Sequence, residues 1–221
     1  MSASNPLPSE LYSVASVIAL ERIAIDLFHV CDYTLMTRAG KAVFDALRDR
    51  YAECRHVLVV CGAGNNAGDG YVVAKLAKQA GLDVTVVSLI DTAKLSGPAK
   101  RACQDWCEVG ALSTADHDVL TGADIVVDAM LGTGLKRDLD DEWAAWIAAI
   151  NHVSKPVIAV DVPSGLYADT GCASNAGAVR AELTISFIGL KQGLFTAQAG
   201  DFCGEIMLDT LGLGDEILSQ V

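Results

Sequence analysis

Residues Val57 to Tyr71 read VLVVCGAGNNAGDGY, and the class of fold turns on them. From His56 to Cys61 the chain is a near-continuous apolar run that stops at a glycine, as in a strand buried on both faces. Gly62, Gly64 and Ala67 then satisfy G-x-G-x-x-G/A, a turn that lets backbone N–H groups approach phosphate at a helix N-terminus. Gly70 to Gly81 (GYVVAKLAKQAG) has helical spacing and ends on a glycine cap. No lysine followed by Ser or Thr comes after these glycines, so the turn is not a P-loop. A strand, a glycine-rich turn and a helix make the first half of a βα unit.

The same alternation continues downstream. Asp83 to Leu89, Asp124 to Ala129, Val157 to Val160, Leu183 to Ile188 and Glu205 to Leu208 read as strands. Ser96 to Gly110 and Asp140 to Val153 read as helices, the second with acidic residues in its first turn, where the helix dipole favours them. Upstream, Leu11 to Phe28 and Tyr33 to Ala52 carry apolar residues at helical spacing. Strands alternating with helices of ~10–15 residues predict an α/β fold, a doubly wound, mostly parallel Rossmann-like sheet, here with extra N-terminal helices. There is no repeat, low-complexity segment or linker. One domain is expected over 1–221, with N-terminal helices at about 8–52 and a Rossmann-like core at about 55–221.

Composition narrows the function. Of the 221 residues 52% are hydrophobic, which excludes a disordered chain. No apolar run reaches the ~18–20 residues that span a bilayer. The opening MSASNPLPSE has no basic or apolar signal-peptide region, so a cytoplasmic protein without a membrane partner is expected. A net charge of −12 argues against a nucleic-acid partner, because phosphate contacts need clustered Lys and Arg. Seven cysteines, Cys31, Cys54, Cys61, Cys103, Cys107, Cys172 and Cys203, form no CxxC pair and read as reduced, mostly buried thiols. Cys103 and Cys107 could share a helix face, but no histidine stands at zinc-ligand spacing.

In a sheet of this kind ligands sit at the carboxyl ends of the strands. Three strands end in informative segments: GAGNNAGDG, DAMLGTGLKRD and DVPSG. In the first, Asn65 and Asn66 tolerate left-handed backbone and bring amides that can bind a ligand or ion. Asp69 is either a first-turn capping carboxylate or a site residue. In the second, Gly132 and Gly134 allow close approach of backbone to ligand, and Lys136 and Arg137 form a basic pair suited to phosphate. Asp128 needs a partner if buried, and a monovalent cation would supply one. In the third, Asp161 and Ser164 stand at the tip of an apolar strand. Oxygen donors on Asn66, Asp128 and Ser164 could converge on a hard cation. Lys191, in GLKQG, reads as a surface lysine, with stabilisation of negative charge as the other possibility.

These three segments, in this order, resemble the YjeF N-terminal domain family, the NAD(P)H-hydrate epimerases. LMTRAG at Leu35 to Gly40 is similar to that family's helical start, and TISFIGLKQGLFTAQAGDFCGEI to its end. Ala67 stands where the family usually has glycine. The resemblance implies an isomerase that interconverts the R and S forms of hydrated NADH and NADPH (NAD(P)HX), cofactors damaged by a hydroxyl at C6 of the nicotinamide ring. It implies that Asn65, Asn66, Ala67, Gly68, Asp69, Gly132, Thr133, Gly134, Leu135, Lys136, Arg137, Asp138 and Asp161 hold the dinucleotide. Asn66, Asp128 and Ser164 would ligate potassium, the expected cofactor. An ATP- or ADP-dependent NAD(P)HX dehydratase acting next and a homodimeric state are the expected partners.

At C6 the ring nitrogen can help expel the hydroxyl, and water can return on the other face. An acid–base carboxylate is then required, with Asp161 the first candidate and Asp69 the second. Two other readings stay open. One is an NAD-binding oxidoreductase, although Asp91 is late for the ribose-binding acid such an enzyme carries. The other is a non-catalytic nucleotide-binding or protein-interaction module of the same fold.

Overall fold

The computed structural model describes residues 7–220, so most of the N-terminal stretch read for a signal peptide lies outside the described residues. Two helices come first, α1 (Val14–Asp26) and α2 (Asp32–Arg50). The core then follows as β1 (His56–Cys61), α3 (Asn65–Gln79), β2 (Asp83–Ser88), α4 (Gly97–Cys107), β3 (Leu112–Ser113), α5 (Val119–Gly122) and β4 (Ile125–Ala129). It continues with α6 (Asp141–His152), β5 (Val157–Val160), β6 (Leu183–Phe187), β7 (Glu205–Asp209) and α7 (Asp215–Leu218). The short β3 and α5 carry no periodicity that a sequence reading could catch.

The seven strands form one sheet in the order β3-β2-β1-β4-β5-β6-β7, and every pairing is parallel. The doubly wound expectation is met. Strand order reverses between β1 and β4, where Val60 pairs with Asp128. That is where a ligand crevice opens in such sheets. All five residues of β4 and all four of β5 are buried, which explains their unbroken apolar character. One core, under α1 to α4, covers one face of the sheet, and a second, built on Trp143, Trp146, Ile147 and Ile150 of α6, covers the other.

Local signals set most boundaries. Asp140 accepts the Trp143 N–H at 3.3 Å and caps α6. Gly81, at φ +83°, closes α3 as expected. Several boundaries shift by one to three residues, with α4 ending at Cys107 rather than Gly110, and two helix starts differ for reasons the packing shows. Helix α1 begins at Val14 rather than Leu11, because Tyr12 bridges to Lys191 and Ser13 caps the helix through the Ser16 N–H at 3.1 Å. Helix α3 begins at Asn65, five residues before the expected Gly70. Its first turns, NNAGDG, have poor helix propensity. Tight packing decides otherwise: Gly68 sits against Met36 and Gly70 against Ala129, each with room for no Cβ. The polar segment is therefore the start of the helix, not a loop.

Candidate active site

The carboxyl ends of the strands open into a cleft of about 790 Å³. The start of α3 lines it through Gly64, Asn65, Asn66 and Asp69, the segment after β4 through Gly132 to Arg137, and the segment after β5 through Asp161. Lys191 reaches it from beyond β6, and Glu21 and Asp32 from α1 and α2. Most of the residues proposed from the sequence are thus brought together. Ala67 and Gly68 are buried in packing instead, and Asp138 is exposed outside the cleft lining. Like the first N–H groups of any helix, those of Asn65, Asn66 and Ala67 have no intrahelical acceptor. A helix start of this kind suits an anion. Lys136 and Arg137 are exposed where they meet the cleft.

Asp69 does not cap the helix: α3 has no side-chain cap and no acidic residue in its first turn. The carboxyl is nearly buried and makes no hydrogen bond among the described residues. Burial pushes its pKa well above the ordinary carboxylate value, with Asp161 and Glu21 adding to the rise and Lys191 opposing it. A raised folded-state value means that the native protein keeps a proton the unfolded chain gives up. This stability is fully present below the unfolded pKa of about 3.9 and is lost as pH rises through the folded value. Asp69→Asn should therefore remove part of the loss of stability that accompanies rising pH. Urea unfolding midpoints against pH would test this, and parallel curves for the two proteins would refute it.

Asp161 has φ +66°, a left-handed conformation uncommon outside glycine and tolerated best by Asn and Asp. Its side chain is 14% exposed. The carboxylate is held by an ion pair with Lys191 and by the Phe187 N–H, which donates to Oδ1 at 3.2 Å. Lys191 is not a surface residue: it is 1% exposed. The sequence reading failed because GLKQG looks like a solvated turn, whereas the turn folds back under the ends of β5 and β6.

Asp128 is wholly buried, and its partner lies within the chain. The Ser164 hydroxyl donates to Oδ1 at 2.5 Å, and the Ser164 N–H donates to Oδ2 at 2.8 Å. The Met130 N–H reaches Oδ1 at 3.2 Å. Burial lifts Asp128 to about 6 against these hydrogen bonds. Ser164 Oγ also accepts the Leu131 N–H at 2.8 Å, which ties the segments after β4 and β5 together. Beside them the Asn66 amide stands against Gly132, and its Nδ2 is buried without a partner among the described residues. The Asp128 carboxylate, the Ser164 hydroxyl and the Asn66 amide oxygen are hard oxygen donors of low total charge, whereas Nδ2 is a hydrogen-bond donor that no cation would satisfy. That donor chemistry fits an alkali ion better than a transition metal. Four of the seven cysteines are buried, and all seven are free thiols.

Glu21 is the site residue that the sequence reading missed. It lies four residues after Val17 on the buried stripe of α1 that Val17, Leu20 and Ala24 define. An acid on an apolar helix face was the available signal. Burial, with Asp161 second, raises its pKa while Lys191 opposes.

Residues 32–193 match the family model described as YjeF-related protein N-terminus. The bifunctional NAD(P)H-hydrate repair enzyme Nnr of Escherichia coli (strain K12) is 40% identical over 219 residues, which is 98% of this chain and 42% of that protein. The chain thus spans less than half the length of that relative. An NAD(P)H-hydrate epimerase of Bordetella pertussis (strain Tohama I) is 39% identical over 214 residues, covering 96% of this chain and 92% of that one. The crystal structure of yeast ynu0 (YNL200c) superposes with a TM-score of 0.77 at 20% identity, over 87% of this chain and 86% of that one, and bears on the fold alone. Among the described residues no helix is long and apolar enough to cross a membrane.

Proposed function

Because this chain belongs to the YjeF-related N-terminal family, we propose that it is an isomerase interconverting the R and S epimers of hydrated NADH and NADPH. The observation that carries this reading is the convergence, in one cleft of dinucleotide size, of a helix start, a basic pair and a carboxylate cluster. The two relatives named as repair enzyme and epimerase give no support to an oxidoreductase or a non-catalytic module.

In the proposed reaction the lone pair of the ring nitrogen expels the C6 hydroxyl, which takes a proton from an acid and leaves as water. Water then adds to the opposite face of the resulting iminium and gives a proton to a base. No atom is gained or lost. The two carboxylates of the cleft would divide these tasks. Asp69, buried and without a hydrogen bond among the described residues, is suited to give the proton. Asp161, which lines the cleft and whose Oδ2 makes no hydrogen bond among the described residues, would receive it. The reverse epimerisation exchanges these roles.

The N–H groups at the start of α3 would face the pyrophosphate, with Lys136 and Arg137 adding charge. Asn66, Asp128 and Ser164 would hold potassium, which would supply positive charge beside the anionic substrate. Anomalous scattering from a rubidium- or thallium-soaked crystal should peak among these three residues, and no peak there would end that assignment. A cytoplasmic location, a homodimer and a following ATP- or ADP-dependent dehydratase belong to the same proposal. The greater length of the bifunctional relative supports the last of these.

The decisive measurement is equilibration of purified R and S epimers with the wild-type protein. A rate no faster than the spontaneous one would refute the reading. In the same experiment, alanine at both Lys136 and Arg137 should weaken dinucleotide binding, and more so at low salt, where charge is least screened. Unchanged affinity would return the pair to the solvated surface.

A further inference from the structure

Lys191 is among the largest fully buried side chains of the protein. A lysine so placed is rare unless paired. It stands at the start of the turn Gln192–Phe195, and all three of its ammonium hydrogens have acceptors. One goes to Asp161 Oδ1, one to Ser186 Oγ at 3.1 Å and one to the Phe187 carbonyl at 2.8 Å. Phe187 grips the pair from both sides, because its N–H donates to the same Asp161 oxygen. The segment that carries Lys191 is itself pinned. The Tyr12 N–H donates to Leu190 O at 2.8 Å, and the Gln192 N–H to Tyr12 O at 2.9 Å. An ammonium fully engaged in this way is built to hold a geometry. Asp161 Oδ2, by contrast, makes no hydrogen bond among the described residues, and Asp161 lines the cleft.

We propose that Lys191 is a positioning residue for the epimerisation: it fixes Asp161 by Oδ1, in its left-handed backbone conformation, and leaves Oδ2 for the substrate. This rests on the epimerase reading above. The charges around Asp161 make a cation necessary. Glu21 faces it from α1 and Asp69 from α3, and Asp32 at the start of α2 adds to the field at Glu21. Arg22 acts on Glu21 in the opposite sense, and Lys191 is the buried cation of the group. Without it three carboxyl groups would face one another with no buried cation between them, and Asp161 would turn away.

The test is a cycle of Lys191→Met, Asp161→Asn and the double variant, with Lys191→Gln, which keeps a donor, as the milder change. Thermal unfolding monitors each protein. Lys191→Met should lower kcat by about 10²-fold, the cost of a misplaced catalytic group, with a much smaller change in KM. Lys191→Gln should recover part of the loss. In the Asp161→Asn background Lys191→Met should cost less than about threefold more, because residues acting as one unit are not additive. A fully additive loss, or one carried by KM alone, would overturn the proposal. A crystal structure of Lys191→Met, or of the Gln variant if Met does not fold, should show Asp161 displaced and the Phe187 N–H bond lost. An unmoved carboxylate would overturn the proposal too. If the wild-type protein does not epimerise its substrate, the functional reading falls, and the crystal structure still decides whether Lys191 holds Asp161.

Discussion

Asp161→Asn should slow epimerisation by ~10²–10⁴-fold, the usual contribution of a positioned acid–base group, while dinucleotide binding survives. The variant isolates the proton because little else changes. Asparagine has the size of aspartate and shares its tolerance of the left-handed conformation that φ +66° demands. Its amide oxygen can still accept from Lys191 and from the Phe187 N–H. What disappears is the exchangeable acid and the charge that balances a buried ammonium. The rate at which either pure epimer equilibrates, above the spontaneous rate, reads the effect, and a titration of bound dinucleotide separates it from binding. Near-full activity would leave Asp161 a ligand or a structural residue. Asp69, the other carboxylate of the cleft, would then carry the proton transfers.

The largest effect on stability is expected from Gly62→Ala. A Cβ at Gly62 would lie 2.0 Å from the Met130 carbonyl oxygen and 2.7 Å from the Trp143 ring. The oxygen belongs to backbone just after β4, held by the β1–β4 ladder and by the Gly62 N–H bond to Ala129 O at 3.1 Å. Relief requires the two central strands to part at the floor of the cleft. Overpacking of this kind costs about 3 kcal/mol or more, since no flexible side chain can yield the space. Gly134 makes the control. It has no positive φ, and nothing lies within 4 Å of its Cβ position, so Gly134→Ala should stay within about 0.5 kcal/mol of wild type. Urea unfolding of the two variants measures the contrast. Similar midpoints would mean that the β1–β4 crossing yields more easily than a paired backbone should.

The sequence treats those two glycines alike, as places where backbone approaches a ligand. Only the tertiary structure separates them, because the crowding at Gly62 comes from Met130 and Trp143, far away along the chain. The same division runs through the molecule. Strand and helix spacing, the apolar run of β1 and the glycine after α3 are local signals, and they were enough to determine a doubly wound parallel sheet with two leading helices. Three strand-end motifs in one order were enough to locate the cleft and the family. The start of α3 at Asn65 was not legible, since Met36 and Ala129 override the poor propensity of NNAGDG by packing. Nor was the burial of Lys191, whose partner Asp161 lies thirty residues earlier. Glu21 joined the site because a main-chain bridge at Tyr12 lashes the segment leading into α1 to Lys191. Local periodicity reports which face of an element is buried. Which charges meet inside, and so how their pKa values move, depends on contacts between residues far apart in the chain, and folding alone brings those together.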